Sequence, residues 1–188
     1  MLEPRRPALV LGSTQAESVV DRDLAAARAV DVVRRRSGGG AVWVAPDDPL
    51  WVDVVLPAGD ALWDDDVGRA TWWLGDAWAA ALAEVGVAGA EVHRGALACG
   101  PLGRLVCFAT VGAGEVTVVG RKVVGISQRR ARAGARFQCA VYRRWDPAPL
   151  VELLGLDGDG AGSVATAARG TGVAHDALLA ALLDHLPA

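Results

Sequence analysis

Lysine is almost missing from this chain: Lys122 is the only one among 19 basic residues, and arginine supplies all the others. Three histidines are scattered without ligand spacing, so no metal ligand set is evident. Cys99, Cys107 and Cys139 are odd in number and lack CxxC spacing, which excludes a disulfide framework and a zinc knuckle and points to reduced thiols. No apolar run approaches the ~18 residues of a membrane span. The apolar segment that follows Met1–Pro7, Ala8 to Leu11, is too short for a leader. The expectation is a cytoplasmic protein without a membrane partner. A net charge of −3 argues against nucleic acid as the main partner.

What is present suits a globular protein. A chain of 188 residues can bury roughly 70% of its unfolded surface, and the expectation is one domain over residues 1–188. Ala8 to Leu11 reads as a strand, Asp21 to Ala29 as a helix and Asp31 to Arg35 as a second strand ending in Gly38-Gly39-Gly40. Trp51 to Leu56 is a strand. Asp64-Asp65-Asp66 open a helix of about twenty residues whose tryptophans, at helical spacing, read as core. Strands follow at Leu105 to Thr110, Glu115 to Val119, Lys122 to Ile126 and Phe137 to Tyr142, with turns at Gly112–Gly114 and Gly120-Arg121. A short helix to Leu154, a Gly/Asp-rich linker (Gly155 to Gly162) and a helix from Asp176 to Leu186 complete the chain. Strands and helices do not alternate strictly, so the fold class is α+β, with a mixed or antiparallel sheet flanked by helices.

Two features bear on chemistry. Lys122 stands in the apolar run Arg121–Ser127, where an ammonium is either a snorkelling structural group or part of a site. The second is Arg34-Arg35-Arg36-Ser37-Gly38-Gly39-Gly40. Three glycines let backbone approach a ligand, and the arginines supply charge for a phosphate or carboxylate. No GK[ST] follows, and the pattern is not GxGxxG. Taken alone, it reads equally well as a flexible hairpin beside solvated arginines.

Three motifs in order resemble the lipoate–protein ligase and octanoyltransferase family. They are Leu9-Val10-Leu11-Gly12-Ser13-Thr14-Gln15, Arg35 to Val42, and Gly120-Arg121-Lys122-Val123-Val124-Gly125-Ile126-Ser127-Gln128-Arg129-Arg130. The resemblance covers about Ala8 to Leu154. It implies the biotin/lipoate protein ligase catalytic fold, related to class II aminoacyl-tRNA synthetases. It also implies an acyl pocket formed by Arg35, Ser37, Gly38, Gly39, Gly40 and Gly125, with Lys122 on the acyl carbonyl.

Within the family, Cys107-Phe108 looks like the nucleophile segment of the cysteine-dependent octanoyltransferase branch. There a thiol accepts the acyl group from a carrier-protein thioester, needing no cofactor, and a lysine of a lipoyl domain then takes it. A neighbouring ammonium favours the thiolate that such chemistry needs. The alternative implied reading is a ligase using ATP and Mg²⁺; the Asn-Asp-Leu segment of many ATP-using ligases is not visible before Lys122. A non-catalytic acyl- or carrier-binding relative is the third, since Trp43-Val44 replaces the family's histidine after the glycines. Partners implied are an acyl carrier protein or lipoyl domains of 2-oxoacid dehydrogenase and glycine cleavage proteins, with lipoate or octanoate as the group carried. The basic run Arg129 to Arg136 reads as a solvated loop or as a dock for such acidic partners.

Overall fold

The computed structural model describes residues 4–100 and 102–187, so the leader reading of residues 1–7 falls partly outside the described residues. Two sheets carry the chain. The smaller has β1 (Ala8–Leu11) at its centre, parallel to β2 (Asp31–Arg34) and antiparallel to β3 (Val42–Val44). Between β1 and β2 lies α1 (Arg22–Ala27), whose N-cap Asp21 accepts a hydrogen bond from the Leu24 amide at 2.9 Å.

The larger sheet is antiparallel. It is built from β4 (Leu50–Pro57), β5 (Ala90–Val92), β8 (Val116–Val118), β9 (Arg121–Ala131) and β10 (Gly134–Val141), in the order β4-β10-β9-β8-β5. A two-residue pair, β6 (Ala98–Cys99) with β7 (Thr110–Val111), precedes β8. Helices α2 (Trp72–Glu84) and α5 (His175–His185) cover one face of the large sheet. Trp78, Leu74 and Leu82 of α2, Leu178 and Leu182 of α5, and Phe137 and Val124 of the sheet are fully buried there. Burying each such side chain contributes roughly 1.5–3 kcal/mol. Helices α3 (Ala148–Leu153) and α4 (Gly158–Ala167) pack Leu150, Leu153 and Val164 against Leu9 and Leu11 of the small sheet. Among the described residues no helix is long and apolar enough to cross a membrane.

The α+β class, the antiparallel sheet and the flanking helices agree with the sequence reading. Four local expectations are corrected. The expected strand Leu105–Thr110 is absent but for Thr110, which begins β7: Cys107–Ala109 is a 3-10 turn, and a buried ammonium binds the Cys107 and Thr110 carbonyls at its two ends. Asp64–Asp66 do not open a helix. The Asp64 and Asp66 carboxylates accept from the amides of Asp66, Gly68 and Arg69, and these local bonds compete with helix formation until Trp72. The expected linker at Gly155–Gly162 is largely α4, which buries Val164. The basic run is no loop but the tip of the β9–β10 hairpin, with Arg129 directly opposite Arg136. There Arg136 pairs with Asp53, and Arg130 sits over the Trp63 ring at 4.7 Å.

Helix α2 also fixes the turn that leads into β8. Thr71 Oγ1 donates to the Ala113 carbonyl at 2.8 Å. A Cβ at Gly75 would overlap the Gly114 carbonyl oxygen and come within 2.8 Å of Val92 Cγ1. Helix propensity alone favours Gly75→Ala by ~1 kcal/mol. This close approach reverses the sign: Gly75→Ala is expected to lower stability by roughly 1–3 kcal/mol, read as a lower urea midpoint with unchanged slope.

Candidate functional site

The glycine loop is held by backbone contact and by one arginine. A Cβ at Gly12 would overlap the Gly39 carbonyl, and one at Gly40 would lie 2.6 Å from the Cys107 nitrogen and the Val106 carbonyl carbon. Gly39 takes φ +95°, a conformation only glycine adopts at little cost. The loop therefore packs backbone to backbone against β1 on one side and the Val106–Cys107 segment on the other. Ala41 donates to the Leu105 carbonyl at 2.8 Å, and the Cys107 amide donates to the Ala41 carbonyl at 3.0 Å.

Arg35 is buried and faces inward. Its guanidinium donates to the carbonyls of Val10 (3.1 Å), Gly38 (2.7 Å) and Gly40 (2.8 Å). Burial lowers its pKa from the ordinary arginine value, opposed by the nearby Cys107 thiol and Tyr142 hydroxyl. Gln15 ties the same region together: its oxygen accepts from the Gly12 amide, and its nitrogen donates to the Leu105 carbonyl at 3.1 Å.

Ser37 is 2% exposed and belongs to a polar chain. Its hydroxyl donates to Gln138 Oε1 at 2.9 Å and accepts from Ser127 Oγ at 3.0 Å; Gln138 Nε2 then donates to Asp53 at 3.1 Å. A small cavity opens beside this chain, lined by Arg35, Val42, Trp51, Cys107, Phe108, Gly125, Ser127, Gln138 and Ala140. Its free volume is about 10 Å³, the room of roughly one water molecule. An acyl chain enters only if lining side chains move, and Trp51, half-buried on the edge strand β4, is the largest of them.

Lys122 lies below this cavity and is 0% exposed. Its ammonium is 2.7 Å from Glu115 Oε1 and donates to the carbonyls of Cys107 (3.0 Å) and Thr110 (3.1 Å). The ring of Phe108 is 5.0 Å away. An ammonium has three donors, and these partners occupy all three. Glu115 is equally engaged: its carboxylate also accepts from the Ile126 amide at 2.9 Å and the Gly112 amide at 2.7 Å. Val124 is the last residue of β9 paired with β8, and the Glu115 side chain takes the amide of Ile126 two residues further on. Glu115 is the site residue that sequence reading missed. Its spacing from Lys122, across a tight turn between two apolar strands, was the available signal.

Of the predicted site residues, Arg35, Cys107 and Gly125 line this cavity. Gly38, Gly39 and Gly40 do not: Gly38 and Gly40 give their carbonyls to Arg35, and a Cβ at Gly39 would lie 3.9 Å from Cys107 Sγ. Ser37 reaches the cavity wall only through Gln138 and Ser127. Lys122 meets the Cys107 segment through the backbone carbonyl. A Cβ at Gly125 would lie 3.1 Å from Lys122 Cε, so that glycine lets the lysine stem pass. The three thiols differ in access. Cys139 is fully buried, and burial pushes its thiol up to about 12. Cys107 is half-buried and Cys99 exposed.

Comparison with known proteins comes to the same place. The family model described as the lipoyl protein ligase A/B catalytic domain matches residues 1–173. No curated protein matches the sequence. Among solved structures, a Thermoplasma acidophilum protein with bound lipoic acid superposes with a TM-score of 0.70 at 16% identity, over 96% of this chain and 67% of that one. A lipoate-protein ligase A bound with ATP gives 0.69 at 17% identity, over 96% and 67%. A bi-partite lipoate protein ligase from T. acidophilum, solved in a study of it and its E2 lipoyl domain, gives 0.69 at 18% identity, over 96% and 66%. At these identities the likeness establishes the fold, and the chain spans about two thirds of each structure's length.

Two outcomes follow from the geometry. Lys122→Met leaves Glu115 buried without its cation and is expected to cost roughly 3–5 kcal/mol in urea unfolding, with a substantial part recovered on adding Glu115→Gln. Iodoacetamide at pH 8 is expected to label Cys99 and Cys107 in the folded protein and Cys139 only after unfolding, read by peptide mass spectrometry. The folded Cys139 keeps its proton far above that pH.

Proposed function

The chain belongs to the lipoyl protein ligase A/B catalytic domain family, and from that premise we propose that it transfers a lipoyl or octanoyl group to a protein lysine through an acyl-enzyme on Cys107. The observation that carries this reading is the place of Cys107: of the three thiols it alone lines the cavity beside Arg35 and Gly125. In the proposed reaction the Cys107 thiolate attacks the carbonyl carbon of a donor thioester. A C–S bond forms to Cys107, and the donor thiolate leaves. The neutral amine of an acceptor lysine then attacks the acyl-enzyme, an amide bond forms, and the Cys107 thiolate departs. The acceptor nitrogen gives its proton to solvent. The Gly38–Gly40 loop, with no side chains in the way, is where amides can approach the oxyanion of each tetrahedral intermediate. Lys122 acts by holding the Cys107–Thr110 turn in register, and one of its three donors must leave a backbone carbonyl before it can meet an acyl oxygen.

A second reading, activation of the free acid by ATP, is favoured by the likeness to the ligase bound with ATP. Under it the acid and the nucleotide would meet at the same cavity. Among the described residues no group of three His, Cys, Asp or Glu side chains is placed to hold a metal ion, so no step is routed through Mg²⁺. The acceptor under either reading is a lipoyl domain, by analogy with the E2 lipoyl domain studied with the T. acidophilum ligase. Arg129 and Arg132, both exposed at the hairpin tip, are suited to its acidic surface.

The test is intact mass spectrometry of a lipoyl domain incubated with this protein and either octanoyl carrier protein or octanoate with ATP and Mg²⁺. Transfer from the carrier thioester is expected, slowed by added salt and accompanied by acylated Cys107. Cys107→Ser is expected to lose the acyl-enzyme with the fold intact, and Lys122→Arg to be severely impaired. Labelling from ATP alone would replace the transferase reading by the ligase one. No labelling from either donor would leave a binding protein.

A further inference from the structure

A second concave surface carries charge that the acyl site does not use. Arg121, Arg143, Arg144 and Arg169 line a groove of about 460 Å³, with Trp145 in its wall and no carboxylate among its lining residues. Elsewhere seven arginines have a carboxylate within 4.0 Å, among them Arg6, Arg28 and Arg94, whereas among the described residues none of these four does. The nearest acids are occupied or turned to another cavity. Asp48 accepts from the amides of Arg143 (2.8 Å) and Arg144 (3.0 Å) and lies 3.2 Å from His175, and Asp146 lines an adjoining cavity with Asp48 and Arg144.

The groove is built, not draped. Arg169 donates its amide to the Lys122 carbonyl at 3.0 Å, and the Gly172 amide donates to the Arg143 carbonyl at 2.9 Å. A Cβ at Gly170 would overlap the Arg143 carbonyl oxygen and sit 2.7 Å from Arg144 Cα. The two arginine-bearing segments are thus clamped backbone to backbone, and all four arginines line one groove. Like charges brought together without a counterion repel, and that repulsion falls when a multiply charged anion enters. Guanidiniums match phosphate oxygens with paired N–H groups.

We infer that this groove is a phosphate-binding site for the phosphorylated part of a ligand whose other end reaches the cavity at Cys107. The two share a wall: Trp145 of the groove stacks on Phe108 of the cavity, ring centroids 5.4 Å apart. The phosphate can come from the pantetheine arm of a thioester donor or from a nucleotide. That choice rests on the proposed acyl transfer; the anion chemistry of the groove does not.

Calorimetric titration of the whole protein with inorganic pyrophosphate, coenzyme A and ATP at low salt tests the site without reference to activity. Binding of pyrophosphate is expected, weakened about tenfold by each of Arg143→Gln and Arg169→Gln. Arg22→Gln, an equal loss of charge on α1, is expected to leave it unchanged. Tighter binding of coenzyme A marks a pantetheine donor, and tighter binding of ATP a nucleotide; either supports the site. No binding of the three, or binding indifferent to both groove substitutions in folded protein, overturns it. So does preference for a polyglutamate peptide, which would make the groove a protein dock. A protein that binds pyrophosphate here yet labels no lipoyl domain would keep this site and lose the transfer reaction.

Discussion

A buried ion pair organises the site. Glu115 and Lys122 together satisfy two amides and two carbonyls from three segments that no regular ladder joins: the turn at Gly112, β9 at Ile126, and the Cys107–Thr110 turn. Such a pair gives up water on both sides, and its net contribution to stability is small or negative beside a well-packed apolar pair. What it supplies is geometry. Each partner, once buried, demands the other and a fixed set of hydrogen-bond partners, so the backbone carrying Cys107 has few alternatives. Helix α2 enforces the same arrangement from outside, because Gly75 and Thr71 press on the turn that delivers Glu115.

The glycine loop meets this frame with no side chains between. Arg35 lies inside it and binds the carbonyls of Gly38 and Gly40. That leaves the loop's outward surface as backbone and places a positive charge behind it. The cationic groups nearest the cavity, Arg35 and Lys122, therefore both act through the backbone they hold in this conformation. The polar chain from Ser127 through Ser37 and Gln138 to Asp53 closes the opposite side. A cavity so enclosed has room for little until its wall moves.

Much of this was legible in order along the chain. Apolar alternation located four of the five strands of the large sheet, missing the short β5, and Asp21 marked the start of α1. The three motifs located the end of β1, the glycine loop and β9, and the Cys107-Phe108 pair located the thiol. Apart from Asp64–Asp66, where short-range carboxylate–amide bonds displaced the helix start, reading failed where a residue's partner lay in another element. Leu105–Thr110 has strand composition, but its shape answers to the ammonium of Lys122 and the carbonyl of Ala41. Gly155–Gly162 has linker composition, yet from Gly158 it is the start of α4, whose Val164 finds a buried place against the small sheet. Glu115 read as the first residue of a strand, since nothing local tells a solvated glutamate from one whose carboxylate is buried against a lysine and two amides.

The sequence by itself determined the fold class, the family, and which short stretches bear the chemistry, because periodicity, turn residues and motif order are local properties. Only the tertiary structure decided how each group is used. It paired the single lysine with a glutamate, turned Arg35 into its own loop, buried Cys139 while leaving Cys107 at a cavity, and drew four arginines into one groove. The physical reason is that burial, pairing and charge are set by what lies across space from a residue, and for these groups the neighbour comes from another element of the chain.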